Sequence, residues 1–266
     1  MTRTISAPDR KPETETPHPR MANRLLAALS TRNFEVLEPH LELVALPRGK
    51  VLFEPGDDVH TTYFPCLRTM ASLLIVTRDG REVEAATIGR EGAVGGIVSE
   101  GHKPAFGRAV VQVPGSALAI STSHLEAAKL GSTRFGDLFA RYADALLAQM
   151  MQGVACNALH SVEERCARWL LATHDRAGDR MIQLTQESLA EMLGVQRTTV
   201  SAVTTQLGAR GLIKTHRGRV EILDRKGLER AACECYQAVE GHFARVLPEV
   251  DIHGHENPPT GATPRL

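Results

Sequence analysis

The stretch Thr185–Val203 reads TQESLAEMLGVQRTTVSAV and has the pattern of two short helices joined by a tight turn. Thr185 is a suitable N-cap for the first helix, because its hydroxyl can accept a hydrogen bond from a free backbone N–H group. Gly194 supplies the turn, where a side chain would obstruct a positive φ angle. The small Ala190 allows the two helices to cross closely. The pattern predicts a helix-turn-helix whose second helix begins at about Arg197.

The second helix has an outward face of short polar side chains, with an arginine near its N-terminal end. Such a face suits the major groove of DNA, where arginine can donate two hydrogen bonds to guanine, and threonine or glutamine can reach base edges or phosphates. The alternative is a helical hairpin that only packs, with its polar face in solvent. The residues of this helix that we expect to contact DNA are Gln196, Arg197, Thr198, Thr199, Ser201, Ala202 and Thr205.

A basic hairpin, or wing, is predicted after the second helix. The strand-like runs that begin at Gly211 and at Val220 flank the turn Arg217-Gly218-Arg219, which would place Arg217 and Arg219 along the phosphate backbone. Residues 176–226 contain nine Lys or Arg and five Asp or Glu, a net charge of +4, whereas residues 21–130 contain eleven and twelve, a net charge of −1. The neutral total therefore conceals a basic module, as phosphate neutralisation requires.

The region before the helix-turn-helix has a different pattern. Residues 21–40 are predicted to be helical, and Asp79-Gly80 predicts a type I′ hairpin turn with positive φ at both residues. From Leu41 to about Ile120, short β-rich runs alternate with turn residues, which predicts a small barrel or sandwich. The runs are Leu43–Leu46, Val51–Phe53, Thr61–Phe64, Ala71–Thr77, Val83–Ile88, Ala109–Val113 and Ala117–Ile120.

Between the two patterns, apolar residues recur at steps of three and four from Phe135 to Val154, which predicts a helix of more than five turns. A helix of this length can extend beyond its own domain and leave its apolar stripe without a partner. We therefore expect self-association through this stripe, and the alternative is that the stripe packs on the β domain. The expected interface residues are Phe135, Leu138, Phe139, Tyr142, Leu146 and Met150.

Composition narrows the class of protein. The chain has 266 residues, enough for two domains, and its 4% aromatic content argues against a stacking platform for single-stranded nucleic acid. No triad spacing, phosphate loop or metal motif is present, so we expect neither an enzyme, nor a cofactor, nor a metal. The absence of a secretory signal and the odd, scattered set of five cysteines indicate the cytoplasm, with reduced thiols.

Two of the cysteines lie close together. Cys233 and Cys235 fall in a predicted C-terminal helix, Lys226–Leu247, where residues two apart point to different faces. We expect them to be small buried residues, with a metal or redox function as the alternative.

The order of these parts resembles the Crp/Fnr superfamily of bacterial transcription regulators. The resemblance covers about residues 24–225 and is strongest over residues 184–222, LTQESLAEMLGVQRTTVSAVTTQLGARGLIKTHRGRVEI. It implies a homodimer joined along the long helices that reads a pseudo-palindromic site on double-stranded DNA, with RNA polymerase as a candidate partner. Arg197 falls where the family commonly places a base-contacting arginine.

The resemblance also implies an α+β fold and a layout. The expected parts are a disordered tail over residues 1–20, a β-roll of effector type over 21–130, a dimerisation helix over 131–160, a winged helix-turn-helix with a C-terminal helix over 161–248, and a second disordered tail over 249–266. The rival interpretation is a ligand-sensing β-roll whose C-terminal domain mediates protein contacts rather than DNA binding. The charge asymmetry and the basic wing favour DNA binding.

The chain departs from the cyclic-nucleotide branch of that family. The branch has a Gly-Glu pair and an Arg-Ser pair in its phosphate-binding segment, whereas this chain has Gly92-Ala93 and Ala105-Phe106. No cysteine precedes Cys66, so the N-terminal cluster of the oxygen-sensing branch is also missing. We therefore expect that cyclic nucleotides are not the signal. The residues that could still line an effector pocket are Gly92, Ala93, Gly95, Gly96 and Arg108.

Overall fold

The computed structural model describes residues 19–66, 68–98, 100–177 and 181–248. The two tails that were predicted to be disordered lie outside the described residues, except that Pro19 and Arg20 belong to a short 3-10 helix, Pro19–Ala22. No helix within the described residues is long and apolar enough to span a bilayer.

The N-terminal helical region is a series of short pieces rather than one helix. The 3-10 helix is followed by α1 (Arg24–Ala27), α2 (Thr31–Leu37) and a second 3-10 helix (Glu38–His40). The breaks fall at two N-caps: the Asn23 side chain accepts hydrogen bonds from the amides of Leu25 and Leu26, and Ser30 accepts one from Asn33. Each cap restarts the helix because it satisfies the free N–H groups of a new first turn.

Two antiparallel sheets form the β-roll, in the orders β1-β7-β3 and β2-β6-β4-β5. All seven predicted strand runs are confirmed, with ends within two residues of those expected. The strands are β1 (Glu42–Leu46), β2 (Val51–Phe53), β3 (Thr61–Pro65), β4 (Met70–Val76), β5 (Glu82–Ile88), β6 (Arg108–Val113) and β7 (Gly115–Ser121).

The β4–β5 hairpin differs from the predicted type I′ turn. The amide of Thr77 donates to the Arg81 carbonyl and the amide of Gly80 donates to the Thr77 carbonyl, which leaves a three-residue loop. Only Gly80 in this loop has a positive φ, at 80°. The loop therefore needs one left-handed residue instead of two, as in three-residue hairpins that end in a bulge.

The long helix is confirmed as α4 (Thr133–Leu159), after α3 (Thr122–Leu130). Its apolar stripe is not a free surface, however. Phe135, Leu138, Phe139 and Tyr142 are buried in a core with residues of α1, α2 and the β-roll, while Leu146 is buried and Met150 half-buried in a neighbouring cluster. Five of the six residues are therefore wrong as the expected dimer interface, because side chains inside the protomer's own core cannot contact a partner, and the half-buried Met150 stays a candidate at its edge.

The C-terminal region begins with α5 (Val162–Ala177) and β8 (Met181–Gln183). It continues through α6 (Gln186–Leu193), α7 (Arg197–Ala209), β9 (Ile213–His216), β10 (Arg219–Ile222), α8 (Arg225–Ala231) and α9 (Cys235–Val246). The three strands form a sheet in the order β8-β10-β9. The predicted single helix Lys226–Leu247 is wrong, because residues 232–234 leave the helical path between α8 and α9.

Candidate nucleic-acid interface

The turn between α6 and α7 has the geometry that its sequence predicts. The Thr185 hydroxyl accepts a 3.1 Å hydrogen bond from the Ser188 amide and so caps α6. Gly194 ends α6 in the left-handed region, with φ 64° and ψ 37°. The Val195 amide then donates to the Ala190 carbonyl at 3.0 Å. A glycine is suited to this position because a residue with a Cβ atom would be strained in the left-handed region.

The inward faces of the two helices fix how α7 is presented. The residues on these faces are buried, and Val195 in the turn is half-buried and packs against the same core. The buried set is Leu189, Ala190, Met192 and Leu193 on α6 and Val200, Val203, Thr204 and Leu207 on α7. With this side of α7 buried, its opposite side faces solvent.

The outward face of α7 carries most of the residues that were expected to contact DNA. Gln196, Arg197, Thr198, Ala202 and Thr205 are exposed, and Thr199 and Ser201 are half-buried. The Ser201 hydroxyl donates a 2.6 Å hydrogen bond to Oε1 of Gln186, so it connects α7 to the start of α6.

Arg197 stands at the first residue of α7 with its side chain 66% exposed. Its Nη1 atom lies 3.7 Å from Oε2 of Glu187, which is equally exposed. Exposed ion pairs of this kind contribute about 0–1 kcal/mol to the stability of a protein. The guanidinium group can therefore leave Glu187 for a stronger partner at little cost.

The wing consists of β9, β10 and the two-residue turn between them. Arg219 is paired with His216 in the ladder, and the turn residue Gly218 has φ 73°. The Leu184 amide donates to the Gly218 carbonyl at 3.0 Å, which ties the tip of the wing to the strand before α6. Arg217 and Arg219 are both exposed. The wing thus presents two cations on a hairpin that is anchored to the helix-turn-helix.

The glycines of the predicted effector segment pack closely against other parts of the chain. A Cβ atom on Gly92 would lie 2.1 Å from the Tyr142 hydroxyl, and one on Gly96 would lie 2.4 Å from Cγ2 of Thr122. Ala93 is buried, and its carbonyl accepts a 3.2 Å hydrogen bond from Tyr142. Gly95 has φ 92° and its carbonyl accepts from Thr62. The glycines therefore allow close packing of the chain on itself.

Arg108 is engaged with carboxylates. Its Nε donates a 2.7 Å hydrogen bond to Oε2 of Glu54, and its Nη1 donates to Oε1 of Glu82. The Glu54 hydrogen bond raises the pKa of the guanidinium. An anionic ligand would have to compete with two carboxylates for this cation.

Beside the buried stripe, α4 has an exposed apolar face that joins the last residue of the predicted stripe, Val154, to two residues that the sequence reasoning missed, Leu147 and Met151. Leu147, Met151 and Val154 are 51%, 65% and 72% exposed. Their steps of four and three residues match the seam of a coiled coil. The signal was present in the sequence, but the longer stripe that begins at Phe135 obscured it.

Comparisons with known proteins support the arrangement. Residues 164–231 match the family described as the Crp-like helix-turn-helix domain. No curated protein matches the sequence. Among solved structures, FixK2 from Bradyrhizobium japonicum is similar with a TM-score of 0.63 and 17% identity, over 73% of this chain and 98% of that one.

Two further structures are similar over comparable lengths. TTHB099, a CRP-family transcriptional regulator from Thermus thermophilus, has a TM-score of 0.58 and 22% identity over 72% of this chain and 96% of its own. The c-di-GMP responsive global regulator CLP from Xanthomonas campestris has a TM-score of 0.58 and 19% identity over 73% of this chain and 100% of its own. At such identities the likeness shows the fold. Residues 164–231 thus match the Crp-like helix-turn-helix domain, and the chain has the fold of the Crp/Fnr transcription regulators.

Proposed function

We propose that this chain acts in the cytoplasm as a homodimer that binds a pseudo-palindromic operator, with α7 of each protomer in a major groove. The observation that carries the proposal is the exposed polar face of α7, with Arg197 at its first residue, held by the Gly194 turn. RNA polymerase is the further partner expected of such a regulator.

Base reading is assigned to the N-terminal half of α7. Recognition helices present their N-terminal residues to base edges, and arginine makes the commonest specific contact, a bidentate one to guanine. Arg197 is exposed and only weakly paired, so it is the strongest candidate for that contact. Gln196, Thr198, Ala202 and Thr205 are exposed on the same helix and are proposed as its neighbours at the interface.

Ser201 and Thr199 have a different place in the proposal. Ser201 is half-buried and donates to Gln186, so its first role is to hold α7 against α6. Thr199 is half-buried as well. We assign both residues to the edge of the interface, where phosphates are closer than bases.

Phosphate contacts are assigned to the wing. Arg217 and Arg219 are exposed on a hairpin that is anchored at Gly218, and residues 176–226 carry a net charge of +4. Contacts to phosphates fix the register and orientation of a protein on the duplex without reading its sequence.

Dimerisation is assigned to the outer face of α4. Leu147, Met151 and Val154 are exposed apolar residues at coiled-coil spacing, so an identical helix would cover them across a two-fold axis. Two helix-turn-helix domains would then meet half-sites about 34 Å apart, one turn of the DNA.

Cyclic nucleotides are not the effector in this proposal. A cyclic phosphate that enters a β-roll loses its hydration and needs a fixed cation and several donors in exchange. Tyr142 and Thr122 fill the space beside Gly92 and Gly96, and Arg108 is held by Glu54 and Glu82. The chain then binds DNA without an effector or responds to a different ligand.

A gel-shift titration on the promoter region of the protein's own gene tests DNA binding. Specific binding predicts a complex that outlasts competition by scrambled DNA and that weakens steeply as salt rises, because phosphate contacts release counterions. Absence of a complex on promoter DNA and on DNA fragments selected from the genome would instead support the rival function, in which the C-terminal domain mediates protein contacts.

A further inference from the structure

Three cysteines and one histidine converge where the end of α4 meets the start of α9. The Sγ atoms of Cys156, Cys233 and Cys235 and a ring nitrogen of His160 all lie within 4.8 Å of one another. The Cys156 and Cys233 sulfurs are 3.5 Å apart, and the Cys235 sulfur is 3.5 Å from Nδ1 of His160. The three cysteines are buried and the histidine is half-buried.

Local structure explains why all four side chains point to one place. Cys156 lies in the last turn of α4, and His160 is the residue that follows the helix, with its amide donating to the Cys156 carbonyl, so the two side chains lie close together. Cys233 and Cys235 were expected to point to different faces of one helix. They do not, because α8 ends at Ala231 and α9 begins only at Cys235, which leaves Cys233 in the connection.

The separations suit a single metal ion better than a disulfide. A disulfide needs about 2.05 Å between its sulfurs, and all five cysteines are free thiols. In a tetrahedral zinc site with Zn–S bonds of about 2.3 Å, neighbouring ligand atoms lie about 3.5–3.8 Å apart. Three cysteines and one histidine are also a common ligand set of structural zinc sites. An iron–sulfur cluster would spread its ligands over more than one iron, so this compact set favours one ion.

Groups around the cluster have the arrangement that supports metal ligands. Nε2 of His160 lies 3.2 Å from a carboxylate oxygen of Glu234, so Nδ1 is left to face the thiols. A carboxylate that accepts from the far nitrogen of a ligating histidine fixes the ring and raises its basicity. Nε2 of Gln152 donates a 3.0 Å hydrogen bond to the Cys235 sulfur, which would stabilise a thiolate there.

A buried cation stands beside the cluster. Arg165 is only 8% exposed, it lies within electrostatic reach of Cys156 and Cys233, and its Nε has no hydrogen-bond partner among the described residues. A divalent ion bound by three thiolates and a neutral histidine carries a net charge of −1. That charge would compensate Arg165, whereas three neutral thiols would leave its buried charge without a counterion among the residues that the structure describes.

We propose that Cys156, His160, Cys233 and Cys235 bind one Zn²⁺ ion that fastens the connection before α9 to the end of α4. The site would lie at the junction between the proposed dimer helix and the DNA-reading domain. Arg165 extends the link, because its Nη2 donates to the carbonyl of Leu193, the last residue of α6. The ion would thus set the angle at which the helix-turn-helix leaves the long helix.

Metal analysis of the full-length protein, purified under reducing and anaerobic conditions, tests the site. We expect one equivalent of zinc per protomer. Cys156→Ser, Cys233→Ser, Cys235→Ser and His160→Ala should each lower the zinc content at least several-fold. Cys66→Ala and Cys166→Ala are matched controls, since both thiols are buried outside the cluster, and they should keep the full content. Equal zinc content in the ligand variants and the controls would overturn the proposal.

A cobalt titration decides the outcome if a ligand variant fails to fold. Chelator-treated wild-type protein should take up one equivalent of Co²⁺ and show the strong visible bands of a tetrahedral ion, together with near-ultraviolet thiolate charge transfer. It should also regain thermal stability that the chelator had removed, because structural zinc binding is coupled to folding. Weak bands of six-coordinate cobalt, no uptake, or purified protein that contains iron and sulfide in place of zinc would each contradict the proposal.

Discussion

The indole Nε1 of Trp169 donates a 2.9 Å hydrogen bond to Oε1 of Glu84, and this contact joins the helix-turn-helix domain to the β-roll. Trp169 lies on α5 and Glu84 on β5. The second carboxylate oxygen of Glu84 accepts a 2.6 Å hydrogen bond from the Ser72 hydroxyl on β4. A buried carboxyl group with a donor from each side therefore links the β-roll and the helix-turn-helix domain.

Other contacts strengthen the same junction. Nε of Arg176 on α5 lies 2.8 Å from a carboxylate oxygen of Glu91, and the arginine side chain is only 5% exposed. Met70 and Leu74 of β4 belong to the same apolar core as Trp169. A movement of the helix-turn-helix domain against the β-roll has to break or rearrange these contacts.

The first prediction concerns Glu84 and pH. Burial raises the pKa of Glu84, and the hydrogen bonds from Ser72 and Trp169 oppose that rise without cancelling it. A carboxyl group whose pKa is raised on folding stabilises the fold at low pH, and this contribution is lost as pH rises through the raised pKa. In Glu84→Gln the contribution cannot titrate, so the melting temperature of the variant relative to that of wild type should increase as pH rises above 4.5, the ordinary pKa of a glutamate side chain.

Thermal denaturation across that pH range measures the effect. Glu84→Ala is the comparison, because it leaves the Trp169 N–H group without an acceptor and should cost about 1–3 kcal/mol of unfolding free energy. A difference between Glu84→Gln and wild type that stays constant with pH would show that Glu84 does not titrate in this range.

The second prediction concerns the dimer. Met151→Glu should give monomers that keep their fold, because Met151 is exposed on the outer face of α4 and a carboxylate there opposes coiled-coil pairing. Sedimentation measures the mass and circular dichroism the fold. Phe106→Ser, which changes an exposed apolar residue away from α4, should remain dimeric. Wild-type protein that sediments as a monomer at micromolar concentration while it still binds its operator tightly would refute this interface.

The third prediction concerns the wing. Arg217→Ala and Arg219→Ala should each weaken the binding of specific and of random DNA to the same extent. Each should also lower the slope of log affinity against log salt concentration by about one unit, since each removes one phosphate contact. Arg78→Ala changes an exposed arginine on the β-roll and should leave both quantities unchanged. Binding titrations at several salt concentrations supply the slopes. A wing variant with the wild-type slope on both DNAs would remove that residue from the interface.

The fourth prediction concerns the effector. Calorimetric titration with cyclic AMP and with cyclic GMP should detect no binding at micromolar concentration, because Tyr142 and Thr122 fill the segment and Arg108 is paired. Micromolar binding of a cyclic mononucleotide that disappears in Arg108→Ala would make Arg108 a phosphate partner and reverse this conclusion.

Most of the fold follows from local sequence, and the exceptions share a cause. The alternation of β-rich runs with turn residues, the Gly194 turn and the Thr185 cap each depend on residues a few positions apart, so they could be predicted from the sequence. The cluster of Cys156, His160, Cys233 and Cys235 could not, because its halves are more than 70 residues apart and meet only after α9 has packed on α4. The spacing of residues along the sequence does not show which distant segments will pack together.

The dimer surface illustrates a second limit of sequence reasoning. Periodicity identified α4 as amphipathic but could not decide what would cover its apolar stripe. The chain itself covers the stripe from Phe135 to Met150 and leaves its last residue, Val154, exposed together with Leu147 and Met151. Which of two apolar faces is free depends on how much of the β-roll and the N-terminal helices packs on α4. That is a property of the tertiary structure.

The central claim is that α7 reads DNA sequence through Arg197, and comparison of one variant on two DNAs tests it most directly. Dissociation constants of wild type, Arg197→Ala and the control Glu187→Ala would be measured on a fragment selected from the genome and on random DNA of equal length. Arg197→Ala should lose about 1–3 kcal/mol of binding free energy on the selected fragment and almost none on random DNA. Glu187→Ala removes only the weak partner of the arginine and should keep specific binding. Equal losses for Arg197→Ala on both DNAs would contradict the claim.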